Sequence, residues 1–467
     1  MPITKKKAMV FIDHDLIIRH FINGKAFERL NEEWDVTYVF NDDPTTEKKH
    51  IFTDVHDLGL KEVFTTHITR ARMGSWYQLY AISVLHHQRG TPNKKFRKRR
   101  IYEINGPLRA NIYDALSLPG IFPMVQKYYL NRQAYLPELE ELIKQKNPDI
   151  LIYPSVLTGY YMNELLVLKD RLKIPFLALM NSWDNPSQKA MTTGHPDCLA
   201  VWGEETRRQA MTYMGMPKDK VKILGAAQFQ GYRNAVPETD AELREMFKVP
   251  KGKPIILYAG VSKSVNETRH LDLLEENIGS GKIPDCHILY RPHPWRGELV
   301  NNEVGFFEKG YKHISMDPFM EDYYRRATSE TTRGIDMANY EVTRRLLGLV
   351  SGTISTLSTL LLETVLHGKP TIAFMPEADM RYKFGAPKHL LPRLAHFSGL
   401  WNKPGVDMCQ SDDHLVESMN GLLKGAEDPE LRKTMLEYAQ DFVDLSGPTY
   451  SERLNMLAHE LTSNREA

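Results

Sequence analysis

Residues 348–374 read GLVSGTISTLSTLLLETVLHGKPTIAF, and this stretch predicts a strand, a polar turn, a helix and a second strand in direct succession. We expect the first strand to end at Val350 and the helix to open near Ser355. The glycine and proline of GKP (368–370) end that helix and start the next strand. A helix that connects two parallel strands is the repeating unit of an α/β sheet.

The same alternation of short apolar runs and helical patterns extends along the whole chain. Most of the runs are continuously apolar, as expected for parallel strands that are covered on both faces. The strand candidates are 8–12, 36–40, 149–153, 175–180, 198–202, 221–224, 255–259, 286–290, 348–351 and 370–374. The sequence therefore predicts an α/β protein with parallel sheets.

A polar, proline-containing segment, 232–254, separates the strands into two sets. We predict two Rossmann-like domains, at about 1–230 and 250–440, whose parallel sheets face each other across a ligand cleft. Residues 441–467 are expected to form a helical tail. The region 85–135, which contains KKFRKRR (94–100), is expected to be a helical, basic insertion in the first domain.

Composition excludes several classes of protein. The 467 residues carry a net charge of +1, so no global field selects nucleic acid. The three cysteines are far apart and show no metal-binding or disulfide pattern, which suits a reducing cytoplasm. No apolar stretch approaches the ~20 residues of a membrane-spanning helix. We expect a cytoplasmic protein, either soluble or peripherally attached to the inner face of a membrane, that binds neither metal nor nucleic acid.

The polar turn in 348–374 predicts a phosphate site. Ser351, Thr353, Ser355 and Thr356 lie where a strand gives way to a helix N-terminus, which offers free N–H groups and a positive dipole end. Ordinary helix capping by serine or threonine is the alternative. Together with Ser358, these residues exceed what a cap requires, which favours phosphate binding.

Glu363 is the only acid on the apolar helical stretch LLLETVL (360–366). An unpaired buried carboxylate is costly, so this side chain must have a partner. The partner is either a pair of ribose hydroxyls or a structural cation, and the residues leave both open.

The stretch CHILYRPHPWR (286–296) ends an apolar strand at a group of cations. Arg291 can bind phosphate oxygens with two N–H groups, and His293 can donate to them. The alternative is a solvated turn after a strand.

Together, these motifs resemble the nucleotide-binding domain of two-domain GT-B glycosyltransferases. More narrowly, they are similar to the CDP-glycerol glycerophosphotransferase and capsule polysaccharide transferase group. That group carries an R-x-H-P element and an S-x-S-[ST]…E…G-x-P element, matched here by RPHP (291–294) and by 351–370. The resemblance covers roughly 200–470 well and the first half loosely.

The resemblance implies a sugar transferase that uses a nucleotide-activated donor as substrate and no other cofactor. It assigns donor binding to the residues of both motifs: Arg291, His293, Ser351, Thr353, Ser355, Thr356 and Glu363. Retaining enzymes of this fold often have a second glutamate eight residues before the ribose-binding one. Ser355 occupies that position here, which favours an inverting, metal-independent reaction. The expected acceptor is a surface glycan or a lipid-linked glycan.

In the first half, LMNSWDNPSQKAM (179–191) resembles the W-H-G-T-P-x-K element of teichoic-acid polymerases, whose histidine is thought to assist catalysis. Asp184 stands at the position of that histidine, and Pro186 and Lys189 are kept. A carboxylate there can take a proton from an acceptor hydroxyl. An Asp-Asn turn before a proline, without further function, is the alternative.

The first strand is followed by DHD (13–15), which supplies two further candidates. In proteins of this fold the first strand-to-helix loop faces the acceptor. His14 and Asp15 are therefore candidates for the base or for acceptor contacts, although Asp15 also suits a helix N-cap.

Three other functions are compatible with these residues. The first is transfer of a polyol phosphate from a CDP-polyol, and the second is a UDP-sugar 2-epimerase. The third is a non-catalytic module that binds nucleotides or glycans.

The segment 94–100 holds six cations in seven residues. It is followed by LPGIFPM (118–124), and basic residues beside apolar ones suit an anionic membrane surface. A solvated, flexible loop and a grip on an acidic acceptor polymer are the alternatives.

Overall fold

The computed structural model of the chain describes residues 5–45, 51, 53–132, 136–155, 159–189, 193–261, 265–293, 306–321, 340–376 and 394–463. The chain divides into two compact units. Unit 1 comprises Met1–Gln230, Arg393–His396 and Asp441–Ala467, and unit 2 comprises Gly231–Pro392 and Phe397–Gln440. Each unit is built around a parallel sheet, so the predicted α/β class is confirmed.

The strands form a seven-stranded sheet in unit 1 and a six-stranded sheet in unit 2. Unit 1 contains β1 (Lys7–Ile12), β2 (Asp35–Asn41), β3 (Val63–Thr66), β4 (Ile150–Ser155), β5 (Phe176–Met180), β6 (Cys198–Val201) and β7 (Val221–Ile223). Unit 2 contains β8 (Ile255–Ala259), β9 (His287–Arg291), β10 (Ile314–Met316), β11 (Gly352–Ser355), β12 (Thr371–Phe374) and β13 (Val406–Cys409).

Helices lie between most of the strands. In chain order they are α1 (Asp15–Ile17), α2 (Glu28–Glu33), α3 (Arg70–Ser75), α4 (Tyr77–His87), α5 (Asn93–Leu116), α6 (Phe122–Arg132), α7 (Pro137–Lys146), α8 (Met162–Leu172), α9 (Glu204–Met214), α10 (Asp240–Met246), α11 (Glu267–Gly279), α12 (Phe306–Lys309), α13 (Tyr340–Leu349), α14 (Thr359–Leu366), α15 (Leu415–Ala426), α16 (Pro429–Phe442) and α17 (Tyr450–Ser463). Two π-helical turns, Ile18–Ile22 and Asn185–Lys189, and short 3-10 turns complete them.

The sheet of unit 1 has the order β3-β2-β1-β4-β5-β6-β7. Every pair is parallel; Ala8 of β1, for example, lies opposite Val36 of β2 and Ile150 of β4. The inner strands β1, β2, β4, β5 and β6 are almost fully buried, whereas the edge strands β3 and β7 are mostly half-buried. Leu454 of α17 joins the core of this unit. Burial on both faces explains the continuous apolar runs in the sequence.

The sheet of unit 2 has the order β10-β9-β8-β11-β12-β13 and is also parallel throughout. Its core is formed by apolar residues of the strands together with Leu271 of α11 and Leu415 of α15.

The strand predicted at 348–351 is wrong. Residues up to Leu349 close the amphipathic helix α13, whose buried face includes Leu346 and Leu347, and the strand is Gly352–Ser355 instead. The apolar run LLGLV therefore belongs mainly to the end of a helix. Helix α14 starts at Thr359 rather than near Ser355, because Ser358 caps it by accepting from the backbone N–H of Leu360 at 3.2 Å.

Among the described residues, five helices, α3 to α7, lie between β3 and β4. Helices α5 and α6 pack on α4 through a small core of their own, which includes Ile82, Tyr113 and Phe122. Helix α5 is interrupted at Gly106, whose φ of 80° lies outside the helical region, immediately before Pro107. Within the described parts of the chain, no helix combines the length and the apolar character that a membrane span requires.

Candidate functional site

The strand orders define one switch point in each sheet. In unit 1, strands β1 to β3 are added toward one edge of the sheet and strands β4 to β7 toward the other edge. The switch point lies between the neighbouring strands β1 and β4. In unit 2 the corresponding neighbours are β8 and β11. Ligands of open α/β sheets bind at the carboxyl ends of the two strands that flank such a point. Ligand sites are therefore expected at the carboxyl ends of these four strands.

Asp13, directly after β1, is a buried carboxylate at the switch point of unit 1. It accepts hydrogen bonds from the Ser155 hydroxyl at 2.8 Å, from the Tyr160 backbone N–H at 3.0 Å and from the Tyr153 hydroxyl. A Cβ at Gly159 would lie 2.2 Å from Asp13 Oδ2, so only glycine fits there. The loops after β1 and β4 are thus held together by one carboxylate.

His14 and Asp15, both predicted site residues, lie in the same loop. His14 is the N-cap of α1, and its Nδ1 accepts from the Leu16 backbone N–H at 3.1 Å. Asp15 is therefore not the cap. Its Oδ1 accepts from the hydroxyl of Thr53 at 2.9 Å, and the carboxylate is buried.

Asp184 lies in the loop after β5, one strand further from the switch point. The carboxylate is half-buried and accepts from the Ser182 hydroxyl at 2.7 Å and from Asn185 Nδ2 at 3.3 Å. The hydroxyl donor orients the carboxylate, and an ionised carboxylate is a group that can take a proton from a hydroxyl. The structure therefore places all three predicted catalytic residues in unit 1, on loops at the carboxyl edge of its sheet.

The π-helical turn that follows Asp184 is held by side chains of the helical insertion. Arg97 of α5 is buried, and its Nη2 donates to the carbonyls of Ser187, at 3.2 Å, and Gln188. Asn93 Nδ2 approaches the same Ser187 carbonyl at 3.4 Å. Burial lowers the pKa of Arg97, and the Asp184 carboxylate acts in the opposite direction. Arg97 therefore lies in the electrostatic environment of Asp184.

Several polar atoms of this region are buried without a hydrogen-bond partner within the described residues. They are Asn93 Oδ1, Asn181 Oδ1, Asn185 Oδ1 and Ser187 Oγ. A buried polar atom without a partner costs free energy, and few such atoms occur in a folded protein. Local rules of this kind are broken mostly at functional sites, which favours a functional role for the Asp184 loop.

His20, in the π-helical turn after α1, is buried beside this loop. Burial lowers its pKa to about 3, and Arg19 acts in the same direction, against a hydrogen bond to the backbone of Asn181. The ring is therefore neutral near pH 7. A neutral buried imidazole connects the loop after β1 with the loop after β5 and carries no charge to the site.

In unit 2 the loop after β8 folds around a second buried carboxylate. Glu267 of α11 accepts from the Val261 backbone N–H at 2.8 Å and from the Tyr290 hydroxyl at 2.6 Å. A Cβ at Gly260 would lie 2.8 Å from Glu267 Oε2 and 3.0 Å from the backbone nitrogen of His293. The loops after β8 and β9 thus meet at Gly260, as the loops after β1 and β4 meet at Gly159.

Arg291, the last residue of β9, is buried in unit 2. Its Nε donates to Asp317 at 2.5 Å and its Nη1 to the Thr343 hydroxyl at 3.0 Å. Its Nη2 has no acceptor within the described residues. His293 follows at the end of the same strand and is half-buried. Pro294, the last residue of the RPHP match, lies outside the described residues.

The predicted hydroxyl residues fall into two sets. Thr353 and Ser355 lie inside β11, where Thr353 Oγ1 is 2.7 Å from Thr364 Oγ1 and Ser355 donates to the Ala259 carbonyl at 2.7 Å. Ser351 precedes the strand, and its backbone N–H donates to Ile255 at 2.7 Å. Thr356 follows the strand, on the path to the start of α14. The Thr353 hydroxyl thus contacts helix α14 and the Ser355 hydroxyl contacts β8, whereas Thr356 lies at the switch point.

Glu363 lies on α14, and its carboxylate is 7% exposed. Its Oε2 accepts from the Tyr232 hydroxyl at 2.6 Å, and the Tyr232 ring contacts His367 with 4.8 Å between centroids. Burial lowers the pKa of His367 to about 3. A carboxylate that is oriented by a tyrosine can accept hydrogen bonds from a diol. Within the described residues, no three His, Cys, Asp or Glu side chains are grouped so as to hold a metal ion.

Comparison with solved structures identifies proteins of the same fold. A Listeria monocytogenes protein assigned as a UDP-N-acetylglucosamine 2-epimerase aligns with a TM-score of 0.55 at 12% identity, over 98% of this chain and 97% of its own. Staphylococcus aureus MnaA with UDP gives 0.53 at 11% identity over 98% and 97%. A Rickettsia africae glycosyltransferase gives 0.51 at 13% identity over 99% and 100%.

The chain has a GT-B-like fold. At these identities the likeness concerns the fold alone, and the solved structures include both epimerases and a glycosyltransferase. They support the wider GT-B resemblance predicted from the sequence, and the narrower CDP-glycerol group is left as a proposal. No protein-family model matches the chain, and no curated protein is significantly similar to it in sequence.

Asp13, Arg97 and Tyr232 are among the site residues that were not predicted from the sequence. Asp13 directly follows an apolar strand, a position that was a usable signal. Arg97 lies in a run of cations that suggests solvent exposure, and Tyr232 lies in a polar linker. No local pattern distinguishes those two, because their partners are 90 and 131 residues away in the sequence.

Proposed function

We propose that the chain is a glycosyltransferase that uses a nucleotide-activated sugar as donor. The observation that carries the proposal is the buried Glu363 carboxylate, which Tyr232 orients in the unit whose switch point lies between β8 and β11. An acid on an apolar helix is costly unless it has hydrogen-bond donors. Tyr232 supplies one such donor at 2.6 Å, and the hydroxyls of a bound ribose are the further donors of this proposal.

Phosphate binding is assigned to the ends of β9 and β11 in the same unit. Arg291 Nη2 is the guanidinium nitrogen that remains for an anion, because Nε and Nη1 are bonded to Asp317 and Thr343. His293 and Thr356 supply further donors, and the N-terminus of α14 adds a favourable dipole. Cationic and N–H groups of this kind stabilise a departing phosphate without a metal ion.

Acceptor activation is assigned to unit 1. In an inverting transfer the acceptor hydroxyl forms a bond to the anomeric carbon while the bond from that carbon to the phosphate oxygen breaks. The hydroxyl proton goes to a base, and the nucleotide leaves with the bonding electrons. Asp184 is the proposed base because it is the more exposed carboxylate of the site, whereas Asp15 is buried against Thr53. The proposed acceptor is a surface glycan or a lipid-linked glycan.

A UDP-sugar 2-epimerase is the second candidate. The observation that favours it is the pair of buried carboxylates, Asp13 and Asp15, on one loop at the switch point of unit 1, since epimerases need several carboxylates at the site. Transfer of a polyol phosphate from a CDP-polyol uses the same phosphate contacts and differs in the bond that breaks.

Product analysis distinguishes these functions. The purified chain is incubated with UDP-, GDP- and CDP-sugars and with CDP-glycerol, each with and without a mixed glycan acceptor, and nucleotides and sugars are separated by chromatography. A transferase releases a nucleoside diphosphate faster with acceptor, whereas an epimerase converts a UDP-sugar without acceptor. Release of CMP from CDP-glycerol identifies the phosphotransferase, and the absence of turnover with every donor contradicts the proposal of an enzyme.

A further inference from the structure

Exposed apolar side chains are concentrated on the helical insertion of unit 1. Thirteen large hydrophobic side chains are exposed among the described residues, and eight of them lie between residues 102 and 128. We call these eight the α5–α6 surface: Tyr102, Ile104, Leu108, Ile112, Leu118, Ile121, Met124 and Tyr128. Single exposed apolar residues are ordinary, but such a concentration in one short segment marks an interaction surface.

The α5–α6 surface lies on the outer side of the insertion. Tyr113 of α5 and Phe122 of α6 point inward, where they pack on α4. Leu108 and Ile112 are four residues apart and therefore share a face of α5, as Met124 and Tyr128 do on α6. The turn between the helices adds Leu118 and Ile121. The insertion thus buries one side of its helices and exposes an apolar second side.

The charge of this segment is strongly positive. Residues 93–132 contain nine lysines and arginines and two acids, a net charge of +7 in a chain whose total is +1. The basic run is not six solvated cations. Arg97 is buried, Lys94 and Lys98 each lie 2.8 Å from Asp114, and Arg99 lies 3.2 Å from Glu103.

Four other exposed cations of the segment form neither an ion pair nor a side-chain hydrogen bond within the described residues: Lys95, Arg100, Arg109 and Lys127. Arg132 is also exposed, and it donates to the Tyr128 hydroxyl. The first four stand next to the exposed apolar side chains in the sequence. A partner that matches both features must offer apolar volume and negative charge together.

We propose that the α5–α6 surface docks on an anionic lipid bilayer, with its apolar side chains in the interfacial region and these four cations at the lipid headgroups. Charge decides the occupant. A second copy of the chain would bring a segment of +7 against another of +7, whereas anionic lipid supplies the opposite sign. Apolar residues that enter the interface next to cations at the headgroups are the usual anchor of peripheral proteins. The docking does not depend on which reaction the chain catalyses.

Flotation with lipid vesicles tests this proposal on the full chain. Vesicles of phosphatidylcholine alone are compared with vesicles that also contain phosphatidylglycerol. We expect binding to the mixed vesicles, weak or no binding to the neutral ones, and release by high salt. Changing Lys95→Gln and Arg100→Gln together removes two headgroup contacts, each worth about fivefold in affinity, so binding weakens roughly 25-fold.

The apolar part has a matched control. Met124 is 73% exposed on the α5–α6 surface, and Met456 is 63% exposed on α17. Met124→Ser should weaken vesicle binding about tenfold or more, since an apolar side chain no longer enters the interface. Met456→Ser should leave it unchanged. Circular dichroism checks that both variants fold.

Three results overturn the proposal. One is the absence of wild-type binding to the anionic vesicles at low salt. Another is equal binding by the Met124→Ser and Met456→Ser variants. The third is a wild-type dimer in light scattering that Met124→Ser converts to a monomer while vesicle binding is absent, because the surface would then join two copies.

Discussion

Asp184 has a hydroxyl donor on one side and a buried guanidinium in its neighbourhood. Asp13, by contrast, has three donors and is fully engaged in joining two loops. Asp15 is buried against Thr53. These three carboxylates therefore differ in how accessible they are to a substrate, although all three lie at the same edge of the sheet.

Replacing Asp184→Asn should abolish sugar transfer and leave donor affinity nearly unchanged, because an amide cannot take the acceptor proton. We expect kcat to fall by about 100-fold or more. The measurement is steady-state kinetics together with calorimetric titration of the donor. Asp15→Asn is the comparison, and a larger loss of kcat in that variant would move the base to Asp15.

His20 predicts a pH dependence of stability. Its pKa is about 3 in the folded state and near 6.5 in the unfolded chain, so the unfolded state binds the extra proton between these values. Stability therefore falls as the pH is lowered through this range, by about 2 kcal/mol at pH 5 from this group alone. Urea unfolding at pH 7 and pH 5 should show a smaller loss for His20→Gln than for the wild type. An equal loss in both proteins would show that His20 does not titrate in this way.

At the scale of elements, the π-helical turn at 185–189 depends on α5. Arg97→Met removes the donor to two backbone carbonyls, at a cost of about 1.5–3 kcal/mol for hydrogen bonds from a charged group. We also expect a lower kcat at unchanged donor affinity, because the turn positions the Asp184 loop. Arg99→Met, on the exposed side of the same helix, should change the unfolding free energy by less than about 0.5 kcal/mol. Similar urea midpoints for the two variants would contradict this role of Arg97.

The loop after β8 is equally sensitive. Gly260→Ala places a Cβ 2.8 Å from the Glu267 carboxylate and 3.0 Å from the His293 backbone, so we expect a loss of about 1–3 kcal/mol. The same substitution at Gly421, in helix α15 of the same unit, meets nothing within 4 Å and should be neutral or stabilising. Thermal unfolding of both variants is the measurement. A stable Gly260→Ala protein with full donor affinity would show that this loop does not need its close packing.

The sequence predicts the positions of the strands better than the roles of the residues that follow them. Continuous apolar runs locate most strands because parallel strands are buried on both faces. The boundaries of the elements in 348–358 were predicted wrongly, because the apolar run LLGLV (346–350) suits a buried helix face as well as a strand. Only tertiary packing decides between the two. Thr353 and Ser355 were assigned to a ligand on the same basis, yet their hydroxyls are bonded inside unit 2.

The hydrogen-bond partners of the site residues depend on tertiary contacts, which a local sequence pattern does not contain. Glu363 was identified as an acid on an apolar helix and Arg291 as a cation at the end of an apolar strand, and both side chains are buried. Their partners, Tyr232 and Asp317, are distant in sequence and have no motif. The roles of Arg291, His293 and Asp184 stay predictions until a ligand is bound.

At the scale of the whole molecule, the strand orders of the two sheets indicate where ligands are expected more clearly than any single residue does. Each unit has a switch point, and each switch point has a buried carboxylate packed against a glycine, Asp13 with Gly159 and Glu267 with Gly260. The fold is shared by epimerases and a glycosyltransferase, and a fold by itself does not determine the reaction.

Calorimetric titration of nucleotide sugars into the wild type and two glutamate variants tests the central claim most directly. We predict that at least one donor binds the wild type and binds Glu363→Gln roughly 10- to 100-fold more weakly, because hydrogen bonds to a charged carboxylate are lost. The control is Glu341→Gln, on the surface helix α13 of the same unit, with unchanged affinity. The absence of binding by every nucleotide sugar, or equal affinity of the wild type and Glu363→Gln, would contradict the assignment of the donor site to unit 2.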